Sequence, residues 1–363
     1  MKIKNLLEDL NIIAPFFLQE NFDNSGIQFA DLEKHSNKIL LCLDITNKTL
    51  NEAKKKRANL IISHHPLIFS SLKQITKQRN PLLYQLITSQ INLITMHTNY
   101  DLAENGLNDY VGNILGIKKK AALQDSSEKI FKFAVYVPKK HAEKVSQSLF
   151  DAGSGKIGNY TETSFNISGT GTFKPEKGTH PFIGEIGKKE KVSEIKIETV
   201  VPERNLQPVI QAMKKSHPYE EPAYDTYEIT NIHSGGIGLW GNTDKEQELE
   251  SFSLWAKKKL NAKYVRLVKS NDRKIQKVAL CTGAGSSLIE NVKQLDVDLY
   301  ISGDITYHHA LRAKEIGLNL LEIEHFDTEK FFVESLHKQL VKQGIPEDIL
   351  IKSQVMDSPY QLL

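Results

Sequence analysis

Cysteine is almost absent. The 363 residues hold only Cys42 and Cys281, too few for a disulfide framework. Both lie in apolar, strand-like runs, so the expectation is two buried thiols in a reducing compartment, with the cytoplasm as the default location. Long apolar runs are also missing: none reaches the roughly 18 residues that a membrane-spanning helix needs. The opening stretch MKIKNLLEDLNIIAPF is interrupted by Glu8 and Asp9 and offers no small-residue cleavage site, so it is not expected to act as a signal peptide. An excess of one charge is lacking as well. Forty-seven Lys and Arg against 44 Asp and Glu leave a net charge of +3, which supplies no basic stripe, and DNA is not an expected partner. What is present is an ordinary globular composition, 40% hydrophobic and 25% charged, with length for about two domains. The 12 histidines are informative for where they stand.

Two parts of the chain repeat one another. KILLCLD (38–44) and KVALCTG (277–283) are apolar runs of strand type. From Cys42 to Ser63, and again from Cys281 to Ser302, is a step of 21 residues. A helical stretch fills each step, NKTLNEAKKK in one and SSLIENVKQL in the other, and NLITMH (92–97) and NLLEIEH (319–325) then supply a third strand. Strands alternating with helices predict parallel pairing, hence an α/β domain of two related halves. The texture between them differs. FKFAVYVP and EIKIETVVP each lead into a helical stretch, and EPAYDTYEI follows. That sequence of elements is the β-α-β-β-α-β pattern of a ferredoxin-like α+β unit, with the Gly- and Lys-rich SGTGTFKPEKGTHPFIGEIGKKEK as a long loop or hairpin. The expected division is a discontinuous outer domain, 1–127 with 233–363, and an insert at 128–232.

Candidate chemistry gathers where the strands end. SHHPLIF (63–69) places His64 and His65 directly after a strand, the position at which open α/β sheets build their sites. Two neighbouring imidazoles diverge there and can reach two ions. The third strands add His97-x3-Asp101 and His325-x3-Glu329. If the chain turns helical, residues i and i+4 share a face, about 5–6 Å apart at Cβ, and such a pair can chelate one ion or bridge two. Imidazole with carboxylate suits zinc first, with iron, manganese and nickel as alternatives. His64, His65, Asp101, His325 and Glu329 make five donors, one more than one tetrahedral zinc takes and about right for two ions. His97 is open as ligand, hydrogen-bond partner or proton shuttle. Asp304 is placed to orient a ligand imidazole. Of His308 and His309 on the next helix, one could face the site.

Two further stretches are weaker. CTGAGSS (281–287) turns from strand to helix. It reads either as a backbone N–H cradle for an anion or as a simple tight turn. HPYEEP (217–222) is dense in polar and aromatic groups. It suits a ligand pocket, a subunit contact, or merely a connection stiffened by two prolines.

DNSGIQ, SHHPLIF, HTNYD, TGAGS, SGDITYHHA and EHFDTE, in that order, resemble the Nif-three-like family, whose bacterial members carry the label GTP cyclohydrolase 1 type 2 homolog. HPYEEPAYD is similar to the PII- or CutA-like insert of the longer members. The resemblance implies a dinuclear metal site, a toroidal homohexamer, and His64, His65, Asp101, His325 and Glu329 as the ligands. Two classes of function follow. One is a metal-dependent hydrolase of a nucleotide or related small molecule, either opening a purine ring or cleaving a phosphoester. The other is a non-enzymatic metal-binding oligomer acting in metal trafficking or regulation.

Overall fold

The computed structural model describes residues 1–125, 129–157, 160–229 and 235–361. The chain divides into two compact units, Met1–Ser126 with Ser234–Leu363, and Ser127–His233. The boundary residues expected at 127/128 and 232/233 lie outside the described residues.

The first unit opens with strands β1 (Gly26–Phe29), β2 (Ile39–Cys42), β3 (Leu60–Ser63) and β4 (Asn92–Thr95). β2, β3 and β4 run parallel, with Cys42 opposite Ser63 and Ser63 opposite Thr95, so their C-terminal ends are level. β1 is antiparallel to β4. Every residue of β2, β3 and β4 is buried, which is why these runs read as continuous apolar stretches and not as alternating ones. The helix Asn47–Lys56 crosses from β2 to β3. Its N-terminus is fixed by a reciprocal Thr46–Thr49 cap, and Lys54, Lys55 and Lys56 complement the dipole of its last turn. Two short strands, β5 (Lys118–Ala121) and β6 (Gln124–Asp125), precede the second unit.

The second unit contains β7 (Ile130–Pro138), β8 (Ser164–Phe173), β9 (Glu190–Pro202) and β10 (Tyr224–Ile229), with helices Ala142–Asp151 and Glu203–Ser216. The elements follow one another as β-α-β-β-α-β, in an antiparallel sheet of order β10-β7-β9-β8. Both helices cover one face. Phe133, Val135, Val137, Ile197 and Val201 from the sheet meet Val145, Leu149, Val209 and Met213 from the helices in a separate core. SGTGTF is strand, and only the residues from Lys174 to Lys189 form the loop of the hairpin.

The chain then returns to the first unit with β11 (Gly236–Ile237), β12 (Leu239–Gln247), β13 (Val265–Val268), β14 (Ile275–Ala284), β15 (Leu299–Gly303), β16 (Leu320–Ile323) and β17 (Leu350–Lys352). The two larger sheets of this unit have orders β1-β4-β3-β2-β17 and β13-β16-β15-β14-β12-β5, and β11 pairs with β6 in a small third one. In each larger sheet three consecutive parallel strands, β2-β3-β4 and β14-β15-β16, end on an antiparallel edge strand, β1 or β13, so the repeated spacing reflects a repeated arrangement. Alternate strand residues are shared between layers. Leu41, Ile62 and Ile94 join Leu280, Ile301 and Leu321 in one core. Cys42 packs in a second cluster and Cys281 in a third. Burial pushes the Cys281 thiol up to about 12, so neither cysteine offers a thiolate ligand. The halves differ at the other edge, where β17 adds parallel to β2 but β12 adds antiparallel to β14, and in register, since β14–β15 slips by two residues between Leu280 and Ala284.

Candidate metal centre

The strand ends deliver the histidines. His64 and His65 follow β3, His97 follows β4 and His325 follows β16. As the i, i+4 spacing predicts, the chain turns helical after the third strand of each half, at Thr98–Leu102 and His325–Glu329. Asp101 and Glu329 are thereby carried back over the strand ends. His64 and Glu329 are buried, while His65, His97 and His325 are partly open on one side.

Each imidazole is anchored through Nδ1. His64 Nδ1 meets the Met96 carbonyl at 2.8 Å. His65 Nδ1 meets Asp44 Oδ1, His97 Nδ1 meets Asp23 Oδ1 and His325 Nδ1 meets Asp304 Oδ2, each at 2.7 Å. A carbonyl or an ionised carboxylate can only accept, so Nδ1 is the donor in all four. In the neutral ring the lone pair is then on Nε2, where a metal would bind.

Those Nε2 atoms converge. His65 Nε2 is 2.9 Å and His325 Nε2 2.8 Å from Glu329 Oε2. His64 Nε2 lies 3.8 Å from Glu329 Oε1 and 3.7 Å from Asp101 Oδ1. Two overlapping triads have ligand atoms within 4.8 Å of one another: His64, His65, His97, and His65, His325, Glu329. Asp101 belongs to neither, but faces His64. His64 Nε2 and Asp101 Oδ1 are buried without a hydrogen-bond partner, and the buried Glu329 Oε2 faces the Nε2 atoms of His65 and His325. Orphaned polar atoms are costly in a protein interior. All of these atoms can bind a cation, so the donor set fits metal.

The electrostatics agree. Burial opposes charge on His65, but Asp44 and Glu329 outweigh it and raise the imidazole to about 10. Burial is likewise overcome at His325, which Glu329 and Asp304 raise to about 9. Burial lifts Asp101 to about 7, with the Glu329 charge adding to it. Glu329, despite its burial, is held well below the usual carboxylate range by His325, His64 and His65. In the absence of an ion, protons supply the positive charge that this cluster requires, and metal binding releases them.

Gly283 explains how Glu329 fits. Asp44 stands two residues beyond Cys42, and Gly283 stands two beyond Cys281. Asp44 holds an imidazole, whereas Gly283 leaves space: a Cβ there would come within 2.1 Å of Glu329 Oε1. Its φ of +65° also favours glycine.

All six residues singled out around the strand ends are therefore brought together, and Asp304 touches His325 as expected. His308 is exposed against Tyr307, and His309 Nδ1 joins Thr306 at the start of its helix; neither is in the cluster. In CTGAGSS three amides are already engaged within the protein, which leaves less room for an anion cradle than for a tight turn. Thr282, Gly283 and Gly285 donate to Asn108 Oδ1, Thr328 Oγ1 and Ser302 Oγ, each at 2.9 Å. Asp23 and Asp44 were missed. The available signals were the place of Asp44 just past β2 and that of Asp23 at the head of DNSGIQ.

Comparison with known proteins bears on the family and the fold. A Bacillus subtilis protein named GTP cyclohydrolase 1 type 2 homolog is 38% identical over 322 residues, 88% of this chain and 86% of that one. A Bacillus cereus protein related to NIF3 has a solved structure that superposes with a TM-score of 0.72 at 34% identity, covering 100% of this chain and 99% of that one. A Staphylococcus aureus crystal structure superposes at 0.77 with 30% identity and the same coverage. The model of the Duf34/NIF3 (NGG1p interacting factor 3) family matches residues 1–359, and the chain belongs to that family.

Proposed function

We propose that this protein is a metal-dependent hydrolase acting on a nucleotide or related small molecule. Its centre would hold two divalent transition-metal ions, zinc first, on His64, His65, Asp101, His325 and Glu329. The observation that carries the reading is the pair of buried, unpartnered donor atoms on His64 and Asp101, beside the buried Glu329 carboxylate on which the imidazoles converge. Two such ions supply Lewis acidity, neutralise developing negative charge and activate water at neutral pH. The chain supplies the rest. Asp44 and Asp304 orient His65 and His325. Glu329, with Oε1 toward His64 and Oε2 between His65 and His325, is placed to span two sites. His97, tied to Asp23 at Nδ1, presents Nε2 on the partly open side and can carry a proton there. The second unit's strand order supports a PII/CutA-like insert. Family membership supports a toroidal homohexamer in the cytoplasm, which sedimentation would report as six 41.1 kDa chains. The competing reading, a non-enzymatic metal-binding oligomer, draws on that insert.

Elemental analysis of protein purified without chelator should find close to two transition-metal ions per chain. The double variant His64→Ala, His65→Ala should lose most of them, and full metal content in it would sink the assignment. Turnover of a nucleotide panel by the loaded protein, with Glu329→Gln as control, separates the hydrolase from the metal-binding oligomer.

A further inference from the structure

The second unit holds a cavity of about 720 Å³ lined wholly by its own residues. Strand alternation explains its position. On β9, Ile195, Ile197 and Val201 pack toward the helices, so Glu194 and Lys196 point to the helix-free face. Gly169 of β8 and Tyr136 of β7 lie on that face by register. The hairpin loop and the HPYEEP stretch complete the enclosure.

Four aromatic rings line the cavity: Tyr136, Phe173, Phe182 and Tyr219. Among them stands Glu194, only 8% exposed. Tyr219 donates its hydroxyl to Glu194 Oε1 at 2.9 Å. His217 sets Tyr219 by accepting its backbone N–H on Nδ1 at 3.0 Å, while Nε2 reaches the Tyr136 carbonyl at 3.0 Å. Gly171 leaves the space the carboxylate occupies, since a Cβ there would come within 2.1 Å of Oε2. Lys196 is drawn to Glu198 at 2.5 Å, and among the described residues no cation forms an ion pair with Glu194. Oε1 is engaged by Tyr219, while Oε2 accepts no hydrogen bond from the described residues and is open to a donor in the cavity that Glu194 lines.

We propose that this cavity binds a planar nitrogen heterocycle that presents two adjacent N–H donors along one edge, as guanine does. The rings stack against the flat ligand and the Glu194 carboxylate accepts both donors. The volume lies within the roughly 300–1,000 Å³ of small-molecule sites. Adenine sets a ring lone pair beside its amino group, and hypoxanthine offers a single ring N–H on that edge; both match a carboxylate less well. The proposal is independent of the metal centre, because no residue of that centre lines the cavity.

Isothermal titration calorimetry of the full-length protein with guanosine, inosine and adenosine tests it; without phosphates, none of the three carries a strong metal-binding group. Guanosine should bind, with inosine and adenosine weaker by about 10-fold or more, the worth of one charge-assisted hydrogen bond. Glu194→Gln should weaken guanosine by a similar factor, and Glu329→Gln should leave it unchanged. If Glu194→Gln does not fold, Tyr219→Phe keeps the ring and removes only the hydroxyl holding Glu194; guanosine should weaken about fivefold, one neutral hydrogen bond. Absence of guanosine binding at millimolar concentration overturns the proposal. So does equal binding of all three nucleosides, or binding that Glu329→Gln abolishes and the cavity variants spare.

Discussion

Replacing Glu329 by Gln keeps the shape of the side chain and removes its charge, and the structure sets two consequences. Without metal, Glu329 is the shared partner of His65 and His325, at 2.9 and 2.8 Å, with 4% of its side chain exposed. Breaking a buried ion pair costs about 3–5 kcal/mol, and the lower end applies because the two imidazoles are part-exposed. The sign with pH follows from raised imidazoles. Their contribution is fully present below about 6.5, the ordinary histidine value, and is lost as pH rises through about 9 at His325 and about 10 at His65. Metal-free Glu329→Gln should therefore be less stable than the parent by about 3 kcal/mol near neutrality, with the gap closing toward pH 10. With metal, the variant should keep one tight ion and lose the second or bind it weakly, since an amide offers one neutral oxygen where two charged ones stood. Denaturant melts of chelated protein across pH, beside metal titration followed by elemental analysis, measure both effects. Two tight sites of unchanged affinity would assign the spanning role to Asp101 or to solvent. A stability gap constant from pH 6 to pH 10 would refute the imidazole argument.

Three further outcomes are expected. Gly283→Ala puts a methyl group into the space of Glu329 Oε1 at a φ of +65°; it should lower metal content and cost about 1–2 kcal/mol of stability from the backbone alone, and a fully loaded, equally stable variant would show that the turn relaxes freely. Asp304 itself lies at φ +52°, a conformation Asn tolerates, so Asp304→Asn isolates the charge behind His325 and should weaken metal by about 10-fold or more; unchanged affinity would make Asp304 dispensable. Deleting 128–232 with a short linker should leave a folded, metal-binding chain, because the first unit's main core contains no residue of the second; an aggregated or metal-free product would show that the units depend on one another.

The sequence alone determined what local spacing controls. Short apolar runs such as KILLCLD and NLIIS, too short for helices of their own and bounded by polar residues, read as strands buried on both faces, and the helices between them favour parallel pairing. His97-x3-Asp101 and His325-x3-Glu329 declared themselves because one turn of helix brings i and i+4 together. The equal steps to Ser63 and Ser302 exposed the repeated halves. Folding decided what distant segments do to one another. Asp44 reaches His65 across 21 residues and Asp23 reaches His97 across 74, and neither separation leaves a periodic trace. Asn108 and Thr328, far from CTGAGSS in the chain, take the amides of Thr282 and Gly283. Gly283 matters only because Glu329 comes to lie against it. The cavity around Glu194 is assembled from β7, β8, β9 and the chain near 219, so its walls exist only once the sheet has formed. Which strand ends meet, and which buried atoms are left without partners, are properties of tertiary packing.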